Sequence, residues 1–163
     1  MRCRLIAFLT LTLYFTGSAL AGIVTGNVTG VLDGDTIEVL NGHHAERIRL
    51  SGIDCPEKSQ AFGKRAKHAV SELALREDVR LSSNRKNGNA KDRNNRILAA
   101  VILPDGTTLN HTLVKDGWCW WYRKYAPGDT VLEGLEMKAR EARRGLWADP
   151  HPVPPWEWRR FNR

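Results

Sequence analysis

Val28-Thr29-Gly30-Val31-Leu32-Asp33-Gly34-Asp35-Thr36-Ile37-Glu38-Val39-Leu40 reads as two strands joined by a tight turn. β-Branched residues crowd both flanks, Asp-Gly supplies the backbone freedom of a short turn, and Thr36 to Leu40 alternates with the period of two that lays one strand face on a core. Asn41-Gly42 is a second turn signal, after which Arg47-Ile48-Arg49-Leu50 alternates again. With Ile23-Val24-Thr25 leading in, the segment is expected to form a three-stranded meander.

After Pro56 the period changes. Phe62, Ala66, Ala69, Val70 and Leu73 recur at helical spacing, and Lys58, Lys64, Arg65, Lys67 and Glu72 take the other face, which predicts an amphipathic helix. Val79 and Leu81 mark a fourth strand; Arg96 to Leu103 mark a fifth, ended by Pro104-Asp105-Gly106. A short helix is expected from Asn110 to Gly117. A last one starts at Asp129 or Thr130, where Thr130 and Glu133 fit a capping box, with Arg143 and Arg144 in its final turn and Gly145 at a left-handed cap. From Asp149 onward four prolines in six residues, Pro150 to Pro155, rule out further regular structure, leaving Trp156 and Trp158 to pin an extended tail. Five short strands, one inserted helix and two trailing helices give the expected fold class. It is α+β, a five-stranded β-barrel of the oligonucleotide-binding (OB) kind with three helices over residues 22–148, followed by a Pro/Trp-rich tail over 149–163.

A chain of 163 residues has room for one well-cored domain, and six Trp exclude a solvated disordered polymer. Arg2 and Arg4, the apolar run from Leu5 to Phe15 and Ala19-Leu20-Ala21 read as an export signal over residues 1–21, cleaved near Ala21. The run is too short for a stable membrane anchor and lacks a basic stop, so the mature chain is expected in the periplasm or the medium. Cleavage removes two Arg and no acid, lowering the formal charge from +7 to +5. That surplus suits a polyanion, either nucleic acid or an anionic membrane surface. Two cysteines remain, Cys55 and Cys119, which in an oxidising compartment form either a disulfide or two buried thiols.

Asp35 closes the first turn, and Asp54 and Glu57 lie in Ile53-Asp54-Cys55-Pro56-Glu57, just after the strand that carries Arg49. One acid in a turn needs no function. Three acids and an Arg near strand ends, with Pro56 stiffening the chain between two of the acids, are more than turn chemistry. Hard cations such as Ca²⁺ take carboxylate, carbonyl and water oxygens, and this set offers them.

Val31 to Thr36, Arg49 to Glu57, Asp92 to Arg96, and Asn110 with Leu113-Val114-Lys115-Asp116-Gly117 resemble, in that order, the successive motifs of the staphylococcal nuclease (thermonuclease) family. The resemblance spans roughly Ile23 to Trp147. It implies a Ca²⁺-dependent phosphodiesterase on an OB barrel, acting on DNA and RNA with little sequence preference and leaving 3′-phosphate ends. By motif position, Asp35, Asp54 and the carbonyl of Cys55 would hold the metal, and Glu57 would position or deprotonate the attacking water. Arg49 and Arg96 would grip the scissile phosphate. The segments holding Cys55 and Cys119 are brought near one cleft in this fold, which favours the bridge. Asn94 stands where the family commonly has a Tyr that helps seat the nucleotide, and Asn95 stands in place of Gly.

Trp118, Trp120, Trp121, Tyr122 and Tyr125 are interleaved with Arg123 and Lys124. Such a run either stacks on unpaired bases or packs helices onto a barrel; Trp118 and Trp120 are expected in the core, Tyr122, Tyr125 and Arg93 beside substrate. The basic loop from Arg85 to Arg96 is either a solvated charge run or a phosphate lure. The five His show no zinc spacing, and the glycosylation triplets at Asn27 and Asn110 are treated as chance matches. The expectation is a monomeric exported nuclease whose partner is DNA or RNA, preferably single-stranded or frayed. Its rival is a binding module on the same fold that has lost catalysis, a reading that gives no chemical reason for Asp35, Asp54, Glu57, Arg49 and Arg96 to stand together.

Overall fold

The computed structural model describes residues 24–83 and 91–162; the expected signal segment and residues 84–90 of the basic loop lie outside the described residues. In chain order the strands are β1 (Val24–Val31), β2 (Thr36–Asn41), β3 (His44–Leu50), β4 (Ile53–Asp54), β5 (Asp78–Ser82), β6 (Ile97–Ile102) and β7 (Trp120–Trp121). The helices are α1 (Gly63–Ala74), α2 (Leu109–Lys115), α3 (Thr130–Glu141) and α4 (Pro155–Phe161).

The meander forms as expected, and β1-β2-β3-β6-β5 closes into a barrel when β5 pairs back onto β1. Only β3 and β6 run parallel among these pairs, because α1 and β5 provide the long crossover that a parallel partner needs. Alternation decides the interior: Ile37, Val39, Ile48, Leu50, Ala99 and Val101 are buried, while Glu38, Arg47, Arg49 and Ala100 beside them stay at least partly exposed. Small residues let α1 sit close, with Ala66, Ala69, Val70 and Ala74 on its buried side.

Four differences from the sequence expectation have physical reasons. Among the described residues there are four α-helices rather than three, because the tail is not extended: α4 begins with Pro155 in its first turn, the one helical place where a missing N–H and a fixed φ cost nothing. The cap of α3 is Asp129, whose carboxylate accepts from the Leu132 amide at 3.0 Å, so Thr130 is already helical. That helix stops at Glu141, with Arg143 at φ 50° taking the left-handed turn before Gly145 opens a single 3-10 turn over Gly145–Ala148. Finally, β4 and β7 form a two-stranded sheet outside the barrel, pairing Ile53 with Trp121 and Asp54 with Trp120. Two-residue strands are too short to show a period.

The aromatic run divides. Trp120 and Trp121 are buried and Trp118 is half-buried against the core. Trp120 joins Trp147, Leu146 and Ala139 in a second cluster against which Phe62 and Trp156 pack. Asn110 is buried, accepting from the Val101 amide at 3.1 Å and donating to the Ser51 carbonyl at 2.8 Å. It thereby ties α2 to the barrel and leaves its amide unavailable to a glycan.

Candidate active site

One rim of the barrel gathers residues that are distant in sequence. The turn before β2 presents Asp35, the register pairs Thr36 with Arg49 across β2 and β3, and β4 carries Asp54. Arg49 is the hub. Its Nη1 donates to the carbonyls of Leu50 at 2.8 Å and Ile53 at 3.0 Å, so the chain leaving β3 is folded around it. Its Nη2 lies 2.9 Å from both Asp35 Oδ2 and Asp54 Oδ1. Two carboxylate oxygens that meet at one nitrogen converge as a cation site requires.

Cys55 follows Asp54 directly. Its amide donates to Asp35 Oδ2 at 3.0 Å, and its side chain is disulfide-bonded to Cys119. The link pins the segment between the acids to the chain entering β7. A second clamp comes from Glu136 on α3, which is buried, accepts from the Trp121 amide at 3.1 Å and pairs with Arg140 at 3.3 Å. β7 is thus held from both sides, and through its pairing it holds Asp54.

Asp54 is 1% exposed and Asp35 8%. Burial pushes the Asp35 carboxyl up to about 7; Arg49 opposes the rise, while Asp33 and Asp54 add to it. A consequence follows for the cation-free protein. Native Asp35 keeps its proton up to about pH 7, whereas an unfolded Asp releases it near pH 4, so the native state binds more protons between those limits. Stability is therefore expected to fall as pH rises from about 4 to about 7 and then to level off. Urea unfolding with chelator at pH 5, 6, 7 and 8 measures this; an Asp35→Asn protein that retains the full slope contradicts the assignment.

Glu57 is half-buried, and its amide donates to Gln60 Oε1 at 3.1 Å. Gly63 begins α1 against this turn so closely that a Cβ there would meet the Glu57 carbonyl oxygen; only glycine lets the helix start where it brackets Glu57. Arg96 faces the rim from the residue just before β6. Its Nε and Nη2 donate to Asp92 Oδ2 at 2.9 and 2.8 Å, and its Nη1 to Thr36 Oγ1 at 3.1 Å. Burial opposes the Asp92 charge, but the Arg96 amide and guanidinium outweigh it and hold the carboxyl below the usual range. Asn95 adopts φ 59°, a left-handed backbone that Asn tolerates better than most residues.

Asp35, Asp54, Cys55, Glu57, Arg49 and Arg96 all line one open cleft, as do Arg93, Tyr122 and Tyr125. Arg93 and Tyr125 are exposed; Tyr122 is half-buried, with Tyr125 edge-on at 4.8 Å. Among the described residues no three His, Cys, Asp or Glu side chains gather as metal ligands. Asp35 and Asp54 supply hard oxygens only, which suit an oxygen-preferring cation completed by carbonyl and water rather than zinc.

The cleft also holds Arg159, which was not singled out from sequence, and Trp156, which was expected only to pin the tail. Arg159 on α4 donates from Nη2 to Asp54 Oδ2 at 2.6 Å and from Nη1 to Glu57 Oε1 at 2.7 Å, and Trp156 lies flat against Tyr122. Their signal was present in Pro155-Trp156-Glu157-Trp158-Arg159-Arg160: Pro in a first turn, an acid near the N-terminus and Arg near the C-terminus.

The family model described as "Staphylococcal nuclease homologue" matches residues 47–149. The chain is 41% identical over 145 residues to an "Uncharacterized endonuclease" of Escherichia coli, covering 89% of this chain and 91% of that one. It is 38% identical over 147 residues to a "Micrococcal nuclease" of Shigella flexneri, covering 85% and 82%. A "Protein ParB" of Escherichia coli is 39% identical over 144 residues, covering 83% and 78%. The closed barrel, the rim that joins Asp35, Asp54 and Arg49, and matches over most of both chains agree: this protein belongs to the staphylococcal nuclease family.

Proposed function

We propose that the protein is an exported Ca²⁺-dependent nuclease that cuts DNA and RNA with little sequence preference and leaves 3′-phosphate ends. That it is a nuclease, a hydrolase of phosphodiester bonds, follows from its family. The observation that carries the finer reading is the convergence of Asp35 and Asp54 on Arg49 Nη2, beside Glu57 and in a cleft that Arg96 shares.

Asp35, Asp54 and the Cys55 carbonyl would hold Ca²⁺, which when bound supplies Lewis-acid polarisation of a phosphate oxygen and a template for substrate and water. Glu57 accepts a proton from the attacking water, whose oxygen forms the new bond to phosphorus. The bond from phosphorus to the 5′-oxygen breaks, and that oxygen takes a proton from solvent, leaving a 5′-hydroxyl opposite the 3′-phosphate. Arg49 and Arg96 present planar paired donors to the phosphate oxygens as negative charge builds on them. Tyr122 and Tyr125 offer aromatic faces to bases, and Arg93 adds a cation on the approach, which favours single-stranded or frayed substrate. Export is supported by the residue 1–21 pattern and by the Cys55–Cys119 disulfide, a bond that persists in oxidising compartments. Among the described residues no helix is long and apolar enough to cross a membrane.

Heat-denatured DNA and RNA incubated with the mature protein in CaCl₂ are expected to be degraded, with 3′-phosphate termini by mass spectrometry, and to survive in chelator. Equal digestion in chelator, or products ending in 3′-hydroxyl, contradict the proposal.

A further inference from the structure

α4 lies across the site. It is docked at its start by buried Pro155 and by Gln60, which donates to the Val153 carbonyl at 2.5 Å while its other amide atom accepts from Glu57. Trp156 packs edge-on against Trp120 at 5.6 Å and stacks on Tyr122 with ring centroids 5.1 Å apart and planes 2° from parallel. One turn on, Arg159 reaches the acids. Asp54 Oδ2 accepts from its Nη2 at 2.6 Å, Asp54 Oδ1 from its Nη1 at 3.3 Å, and Glu57 Oε1 from the same Nη1 at 2.7 Å. Asp54 Oδ1 already receives Arg49, so both Asp54 oxygens are taken up by guanidinium.

Trp156 and Arg159 are three residues apart and hence share one helix face. That face carries a flat ring onto Tyr122 and a flat cation onto Asp54 and Glu57. The ring has the shape of a nucleotide base, and the guanidinium places positive charge on Asp54, one of the residues to which the proposed function assigns the cation.

We propose that α4 is an intramolecular occupant of the active site, with Arg159 the counter-ion of Asp54 and Glu57, so that loading with divalent cation requires Arg159 to leave. The inference rests on the reading of Asp54 as a cation ligand. Arg159 then sets the apparent cation affinity, because only the fraction of molecules with Asp54 released can bind. If that fraction is about one tenth, removing Arg159 tightens binding about tenfold.

Calorimetric titration of the full mature chain with CaCl₂ alone tests this. Arg159→Ala is expected to bind Ca²⁺ about tenfold more tightly than the unaltered protein. Arg159→Lys, a point charge without the paired donors, is expected to fall between them. Arg160→Ala removes the same charge from the neighbouring residue, which forms no ion pair among the described residues, and is expected to change affinity less than about twofold. In parallel, saturating CaCl₂ is expected to speed hydrogen exchange of the α4 amides in the unaltered protein. Equal Ca²⁺ affinity in Arg159→Ala and the unaltered protein, an Arg160→Ala effect as large as that of Arg159→Ala, or α4 exchange that ignores CaCl₂ overturns the inference. Absence of Ca²⁺ binding in every variant overturns the cation site itself, and the inference with it.

Discussion

Replacing Arg96 with Ala is expected to lower kcat by about 10²–10³-fold, with Ca²⁺ affinity and unfolding midpoint close to those of the unaltered protein. The size comes from the role. A preorganised donor aimed at charge that develops only in the transition state is worth about 3–4 kcal/mol, and its loss appears in kcat rather than in substrate binding. The selectivity comes from the geometry. Arg96 touches Asp92 and Thr36 but neither Asp35 nor Asp54, so its removal leaves the cation ligands in place. Asp92→Ala should reproduce part of the loss, since Asp92 holds two of the guanidinium nitrogens and fixes its orientation. Arg49 is the less informative target, because it also ties down the carbonyls of Leu50 and Ile53, and its loss would mix catalysis with local unfolding. An Arg96→Ala enzyme within threefold of the normal kcat removes Arg96 from the chemistry.

The second large effect is on stability. A Cys55→Ala, Cys119→Ala protein is expected to lose up to about 4 kcal/mol, the loop-entropy value for a bridge that spans 64 residues, and roughly 10 °C in Tm. Both side chains are buried, at 4% and 0% exposure, so Ala at both positions avoids stranding a polar group and isolates the cross-link. The bridge also holds Cys55, whose amide bonds to Asp35, so Ca²⁺ affinity should weaken alongside stability. Denaturant unfolding with and without CaCl₂ measures both. A loss under 1 kcal/mol shows that β4–β7 pairing and the Glu136 clamp hold the segment without the cross-link.

The barrel was legible because strands announce themselves locally. Ile37, Val39, Ile48 and Leu50 carry the alternation, and Asp33-Gly34 and Asn41-Gly42 mark the turns, so short windows were enough. Helix ends were less legible. Asp129 and Thr130 both cap well in isolation, and the choice depends on which residue finds the Leu132 amide once α3 is packed. The tail misled most: prolines at 150, 152, 154 and 155 exclude helix at most positions, but Pro155 falls at the single tolerant one.

The candidate site divides the same way. Asp35, Arg49, Asp54, Glu57 and Arg96 stood out by residue type and motif order, and the structure brings all five into one cleft. Their order along the chain, their proximity to strand ends and the one-domain size were determined by sequence alone. Only the tertiary structure decided that Arg49 bridges both Asp, that Glu136 secures β7 beneath Asp54, and that Arg159, more than 100 residues away along the chain, ends on Asp54 and Glu57. A period or a turn is written by neighbours and can be read locally. An ion pair across such a separation depends on where the closed barrel and the stacked Trp156 place the two ends, and no short window of residues contains that distance.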